Sequence, residues 1–411
     1  MIKRLTFILL LIPVCSFAQE KLLTLQASVD SAFANNAVLN EANAIMEQKR
    51  NEWRTMTGIE APEISYFEEG RNSSATKPFE ERRWTVSQTI DFPLTTVYRL
   101  KAIGDEAKAL EYQIQAQRNN IRAEVKSRYI DILYASRLQD LAEKQKQLAD
   151  ELYKAVYTKF ETGMGNGIDL TKAELQVAEA ENFQSEAERM LHMGRYSLFR
   201  LMGMEIADIS YSIQFVDTLS SREVVVSQIT ALSVLHEQPE YLAAMAAYEA
   251  SQNKIREARS NILPDIRFNL YKQNYGDGFK YNGFEVGLSI PIWLPFEQSG
   301  KIRMAKAYQD EIEWQQKGIE QEMKERIEHA WHSYSSSKQI IDRYNQTMSA
   351  KSARLQQLSI DAYRLGEIDL MNLILAQQTY LDNQRRYLDA LHDFYLQLTQ
   401  LEKYLNLELV Y

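Results

Sequence analysis

Proline, the residue that most reliably stops a helix, is absent from Leu94 to Gln238 and again after Pro295. Its ring clashes with the preceding turn and offers no amide donor, so gaps this long are where very long helices can form. Good helix formers predominate over residues 95–162, and Leu110, Ile114, Ile121, Val125 and Ile132 step by four and seven, the spacing of a coiled-coil seam. At about 1.5 Å per residue, that stretch predicts a helix roughly 100 Å long. Ile312, Ile319, Met323, Ala330, Tyr334 and Ile341 step the same way inside a helix expected over about 300–365.

The two stretches belong to one plan written twice. Pro62 has a counterpart in Pro264, 202 residues on, and Gly163 in Gly366, 203 residues on. A steady offset of this kind marks internal duplication. The first copy spans 19–203 and the second 234–407. After each glycine a returning helix is expected, at about 169–202 and 372–407, so each half ends in a helical hairpin. Amphipathic helices are expected at about 26–57 and 234–261.

Strands are expected at about 62–70, 83–92, 265–274 and 282–292. In the second, Trp84, Val86, Ile90 and Phe92 are apolar while Thr85, Ser87, Thr89 and Asp91 are polar. Ile266, Phe268 and Leu270 alternate with Arg267 and Asn269, and Phe284, Val286, Leu288 and Ile290 alternate around Glu285 and Ser289. A weaker version places Ile64 and Tyr66 ahead of Phe67. Period two gives each strand one greasy and one wet face. Each run has about the length that crosses a bilayer as a tilted strand, and aromatics crowd the ends. Trp84, Phe92, Tyr281 and Trp293 are the candidates for a membrane-interface girdle. Segment 204–233 and the last residues fit neither pattern, although Ile209, Tyr211, Ile213 and Phe215 alternate as a short strand would.

Residues 1–18 carry Lys3 and Arg4, an apolar run from Leu5 to Val14, and Ser16-Phe17-Ala18, the pattern of a secretory signal. Val14 is larger than the small residue expected before a lipidated cysteine at Cys15. Cleavage after Ala18 removes the one cysteine, and with it any disulfide or thiolate site. It also removes two of the 47 basic residues and none of the 56 acidic ones, leaving a net charge of −11, which argues against a nucleic-acid partner. Beyond the signal no apolar run is long enough for a spanning helix, so a membrane crossing requires a β-barrel. Four strands cannot close around a passage; three copies supply about twelve.

The order of helix, strand pair, long helix, turn and helix, repeated after a signal, resembles the TolC or outer-membrane efflux protein family over nearly the whole mature chain. So do Gln238-Pro239-Glu240-Tyr241, Asn261-Ile262-Leu263-Pro264-Asp265-Ile266, Ser289-Ile290-Pro291-Ile292 and Ser299-Gly300-Lys301. The most specific pattern reads Phe160-Glu161-Thr162-Gly163 with Asp169-Leu170, and Tyr363-Arg364-Leu365-Gly366 with Asn372-Leu373. The resemblance implies a mainly α fold with a membrane β-barrel: a homotrimer sharing one barrel in outer-membrane lipid above a periplasmic α-helical tunnel. It implies passive export from a periplasmic adaptor and an inner-membrane pump, of RND or ABC type, in tripartite efflux or type I secretion, with no cofactor and no reaction catalysed. Docking and gating then fall at the hairpin tips: Gly163, Asp169 and Leu170, and Gly366, Glu367, Asp369, Asn372 and Leu373. Segment 204–233 would form a belt around the tunnel.

Two readings of the second tip stay open. Asp369 from three chains would set like charges near an axis and form a gate. Alternatively, Glu367 and Asp369 simply cap a helix start, where the dipole favours negative charge. His329 and His332 beside Glu328 share a helix face, but no further clustered ligand supports a metal site. Gly163-Met164-Gly165-Asn166-Gly167 lacks the Lys-Ser/Thr of a phosphate loop and suits a hairpin tip. The rival reading of the whole chain is a secreted coiled-coil scaffold or a periplasmic adaptor, whose strands would bury their apolar face in a soluble domain.

Overall fold

The computed structural model describes residues 21–70, 78–205, 213–220, 224–290, 296–405 and 408–410. The expected signal, with Cys15, lies outside them. In chain order the elements are β1 (Lys21–Leu23), α1 (Leu25–Asn35), α2 (Ala37–Glu52), β2 (Glu63–Glu69), β3 (Glu81–Ile90), α3 (Pro93–Glu161) and α4 (Gly167–Leu201). They continue as β4 (Ile213–Phe215), α5 (Gln228–Ser233), α6 (Pro239–Ser260), β5 (Asp265–Tyr275), β6 (Lys280–Ser289), α7 (Glu297–Arg343), α8 (Ser349–Arg364) and α9 (Leu370–Leu405).

The longest helix, α3, runs 69 residues and opens on Pro93, whose missing amide costs nothing at a first-turn position. It packs against α4, α6 and α9, while α7 packs against α6 and α9. The helices form four columns side by side: α2 continued by α4, then α3, then α6 continued by α9, then α7 continued by α8.

Two joints make the composite columns, and they are equivalents under the duplication. Asn36 Nδ2 donates to the Leu201 carbonyl at the end of α4 at 2.9 Å, and Gln238 Nε2 donates to the Tyr404 carbonyl near the end of α9 at 2.5 Å. Both side chains are buried. Each therefore satisfies a helix-end carbonyl that has no partner within its own helix. Asn36 also accepts the Val38 and Leu39 amides, capping α2. This is why the helix expected over 26–57 is two helices: at ψ 126° Asn36 turns the chain out of helical geometry. The helix expected from 234 begins instead at Pro239, behind a short 3-10 turn. The helix expected over 300–365 is interrupted by a π-helical turn at Tyr344–Met348, a local widening that the apolar spacing does not encode.

At mid-height the columns share the main core, which includes Tyr129, Ile130, Leu138, Phe199, Met323, Ile327 and Phe394. A belt wraps it. β1 pairs in parallel with β4, confirming a short strand at Ile213 and Phe215; Ile209 and Tyr211 lie outside the described residues. Tyrosines and a tryptophan pin the belt: Tyr129 donates to the Leu23 carbonyl (2.9 Å) and Asp217 (2.7 Å), Trp331 to Val226 (3.0 Å) and Tyr395 to Ser220 (2.6 Å). Burial and the Asp217 carboxylate together push the Tyr129 hydroxyl far above its ordinary pKa, fixing it as a donor.

The C-terminal tail is tied in by a buried ion pair. Lys126 of α3 meets Glu402 of α9 and donates to the Val410 carbonyl at 2.6 Å, while Glu402 accepts the Leu409 and Val410 amides. Nearer the sheet, Glu106 of α3 is held between Lys49 of α2 and Lys254 of α6. Burial works against its charge, but the two ammonium groups outweigh that and hold the carboxyl below its usual range.

Candidate functional site

The sheet is four-stranded, ordered β2-β3-β5-β6 and antiparallel throughout. Strands begin and end within a few residues of the expected positions. The register carries the alternation across all four: Ile64 lies opposite Val86, Val86 opposite Leu270, and Leu270 opposite Phe284. A second row joins Ile90, Ile266 and Leu288, and Phe268 faces Val286. Residues directly opposite share a face, so these side chains form one apolar surface. It is bare: Ile64 is 69 % exposed, Leu270 62 %, Phe284 77 % and Leu288 61 %. A contiguous apolar face of this kind marks a surface that a membrane or another protein covers.

Thr85, Ser87, Thr89, Arg267, Asn269 and Glu285 occupy the opposite face. There Tyr271 lies flat across Gly283, where a Cβ would come within 2.2 Å of the ring. Glycine at 283 is thus what admits the tyrosine to the polar side.

The girdle expectation needs correction. Trp84 does stand on the apolar face, 4.8 Å from Tyr66, its cross-strand partner. Tyr66 shares the apolar face with Trp84, as its two-residue spacing from Ile64 signals. Tyr281 falls on the polar face, edge-on to Tyr275 at 6.0 Å, because it lies an odd number of residues from Phe284. Phe92 sits beyond the end of β3, at the N-cap of α3. Trp293 lies outside the described residues.

The hairpin tips repeat each other in backbone geometry. Gly163 (φ +75°) and Gly366 (φ +76°) adopt the left-handed conformation that ends α3 and α8. Met164 then donates to Lys159 and Glu367 to Ala362, each at 2.9 Å, closing matched turns. Asn166 caps α4 by accepting the Asp169 amide at 2.8 Å. Its counterpart 203 residues on is Asp369, which accepts the Asn372 amide at 2.9 Å. The first tip reads Asn-x-x-Asp and the second Asp-x-x-Asn, so the capping reading of Asp369 is the one with a bond behind it. Glu367 is exposed.

Leu373 is only 4 % exposed, and it packs with Leu152, Val156, Ala173, Leu370 and Ile374, with Leu170 against them. The two leucines fasten one hairpin to the other. Among the apolar side chains that face water at the tips are five others: Met164, Ile168, Leu365, Met371 and Leu375, the first 79 % exposed. Lys159 of the first tip lies 4.5 Å over the Tyr363 ring of the second.

His329 and His332 are exposed, and no cluster of metal-ligating side chains occurs among the described residues. His392 bonds Asp131 at 2.8 Å and stacks on Tyr134. No helix among the described residues is long and apolar enough to cross a membrane.

Residues 29–204 match the family described as "Outer membrane efflux protein". Over 385 residues the chain is 21 % identical to the cobalt-zinc-cadmium resistance protein CzcC of Cupriavidus metallidurans, covering 93 % of this chain and 90 % of that protein. It is 22 % identical to the outer membrane efflux protein BepC of Brucella suis, covering 90 % and 82 % of the two. Among solved structures, a membrane protein of Pseudomonas aeruginosa superposes with a TM-score of 0.80 at 18 % identity, covering 93 % of each chain. The outer membrane protein VceC of Vibrio cholerae gives 0.79 at 16 %, covering 93 % and 95 %.

Proposed function

We propose that this chain is a TolC-type outer-membrane efflux protein, a reading supported by the family match over residues 29–204 and by the similar relatives and structures, and that three copies close one twelve-stranded barrel above a common helical tunnel. It is an outer-membrane channel of a Gram-negative bacterium that conducts exported solutes passively. The observation carrying the trimer is the open sheet. Its apolar face needs lipid, and among the described residues its outer strands β2 and β6 each keep an unpaired edge in one chain. In this four-stranded antiparallel order β2 and β6 run in opposite senses, so β6 of one copy can pair antiparallel with β2 of the next. Repeating that contact three times closes the ring and abolishes the edges. Barrels of twelve strands fall within the range of outer-membrane proteins.

The tips, with Gly163, Asp169, Gly366, Glu367, Asp369 and Asn372 setting the turns and the five exposed apolar residues projecting, form the docking surface for a periplasmic adaptor fed by an inner-membrane pump. Cargo passes unchanged. The test is the mass, by light scattering with detergent subtracted, of protein extracted from isolated outer membranes. About three times the mature chain, soluble only in detergent, is the expected result; a monomer or dimer released without detergent overturns the shared barrel.

A further inference from the structure

The sheet's apolar face ends differently at its two extremities. At the helix end it closes on Ile90, Ile266 and Leu288, with Ile290 just beyond, and carries no charge. At the hairpin end it closes on the Tyr66–Trp84 pair and then on charged and amide groups. Register places them: Trp84 lies opposite Lys272, which lies opposite Asn282, and Arg82 lies opposite Asn274, which lies opposite Lys280. All five polar side chains therefore share the face that bears Leu270 and Phe284. From the Ile290 level to the Asn282 level is about 26 Å along the strand, hence roughly 20 Å of height at a tilt of about 40°, close to the apolar band of an outer-membrane barrel.

Arg82 is neutralised, since its guanidinium pairs with Glu68 at 3.2 Å and lies 3.9 Å over the Phe79 ring. Tyr66 donates its hydroxyl to the same glutamate. Asp277, in the β5–β6 turn, accepts the Phe279 amide. Lys272 and Lys280 are both exposed, and among the described residues no carboxylate pairs with either. They are diagonal neighbours on adjacent strands, about 7–8 Å apart at the backbone, close enough for two flexible ammonium stems to meet on one phosphate.

We propose that Lys272 and Lys280, flanked by Asn274 and Asn282, form a site on the outer surface of β5 and β6 for the phosphorylated headgroup of an outer-leaflet lipid. The acyl chains of that lipid lie on Leu270, Phe284 and Val286. Two cations without a carboxylate partner among the described residues, and two amides, directly above an apolar strip match an anionic amphiphile. The site rests on the channel reading, which sets this face against lipid and the hairpin turns outside the cell.

The test uses the full-length protein in detergent, incubated with diphosphorylated lipid A, stripped of loosely held lipid and weighed by native mass spectrometry. The parent should retain lipid A, and Lys272→Gln/Lys280→Gln should retain about thirtyfold less, with oligomer mass and bilayer conductance unchanged. Dephosphorylated lipid A should bind parent and variant equally weakly, and an excess of inorganic phosphate should compete poorly with the intact lipid. If the double variant does not assemble, Lys280→Gln alone, at the first residue of β6, should retain several-fold less. Equal retention by parent and variant overturns the site, and so does equal retention of phosphorylated and dephosphorylated lipid. Full displacement by inorganic phosphate overturns the lipid as ligand. A parent that conducts yet holds no lipid A overturns this site alone, whereas a parent that neither inserts nor conducts removes the channel reading with it.

Discussion

At the scale of single residues, the most consequential contact is the ion pair between Lys126 and Glu402, with side chains only 4 % and 5 % exposed. A pair so deep gains little over an apolar substitute, but removing one partner strands the other charge in a medium that cannot solvate it. Lys126→Met should therefore cost about 3–5 kcal/mol and free the tail at Val410, whose carbonyl loses its donor. Lys126→Met/Glu402→Leu should recover only part of that loss, because it removes the stranded charge but leaves the Leu409 and Val410 amides and the Val410 carbonyl without partners. Thermal denaturation of the purified protein, with proteolysis of the last residues as a local probe, measures both. Neither side chain stood out in the sequence, because a lysine and a glutamate 276 positions apart look like any other charged helix residues.

At the scale of elements, the duplicated joints turn short helices into long columns. Asn36→Ala removes a helix cap and leaves the buried Leu201 carbonyl without its donor, which together should cost about 2 kcal/mol. Gln238→Ala should cost a similar amount at Tyr404. The two sites lie in different columns and share no partner, so the double variant should show nearly the sum. A double variant no worse than either single would mean that the joints yield together. Denaturant titration of the detergent-solubilised protein decides this. The equivalence of Asn36 and Gln238 is invisible to a search for identical residues: the duplication conserved a side-chain amide and its place, while its length changed by one methylene.

For the whole molecule, the sheet's two faces make opposite demands. Val286 stands midway along the apolar face, at 55 % exposure, so Val286→Arg should cost about 2–4 kcal/mol in the bilayer and sharply lower the amount of assembled channel in the outer membrane. Ser87→Arg, on the polar face of the same sheet, should insert normally and reduce single-channel conductance. Heat-modifiable mobility of the outer-membrane fraction and planar-bilayer recording report the two effects. Equal insertion of both variants would contradict the assignment of faces.

The sequence by itself determined the long helices, the duplication, the four strands and the sense of their faces, because each follows from local periodicity or from where proline and glycine stand. The tip glycines were legible for the same reason, since only a left-handed turn calls for glycine there. Tertiary structure alone decided which tip residues face water: Leu373 and Met371 are equally apolar and two positions apart, yet helical rotation buries one and exposes the other. Tyr281's place on the polar face was legible as well, since it lies three residues, an odd number, from Phe284 in one unbroken strand. Tertiary structure alone joined Lys126 to Glu402, Asn36 to Leu201, and Lys272 to the neighbourhood of Lys280, pairings made by folding distant or antiparallel segments together and left unmarked by local spacing.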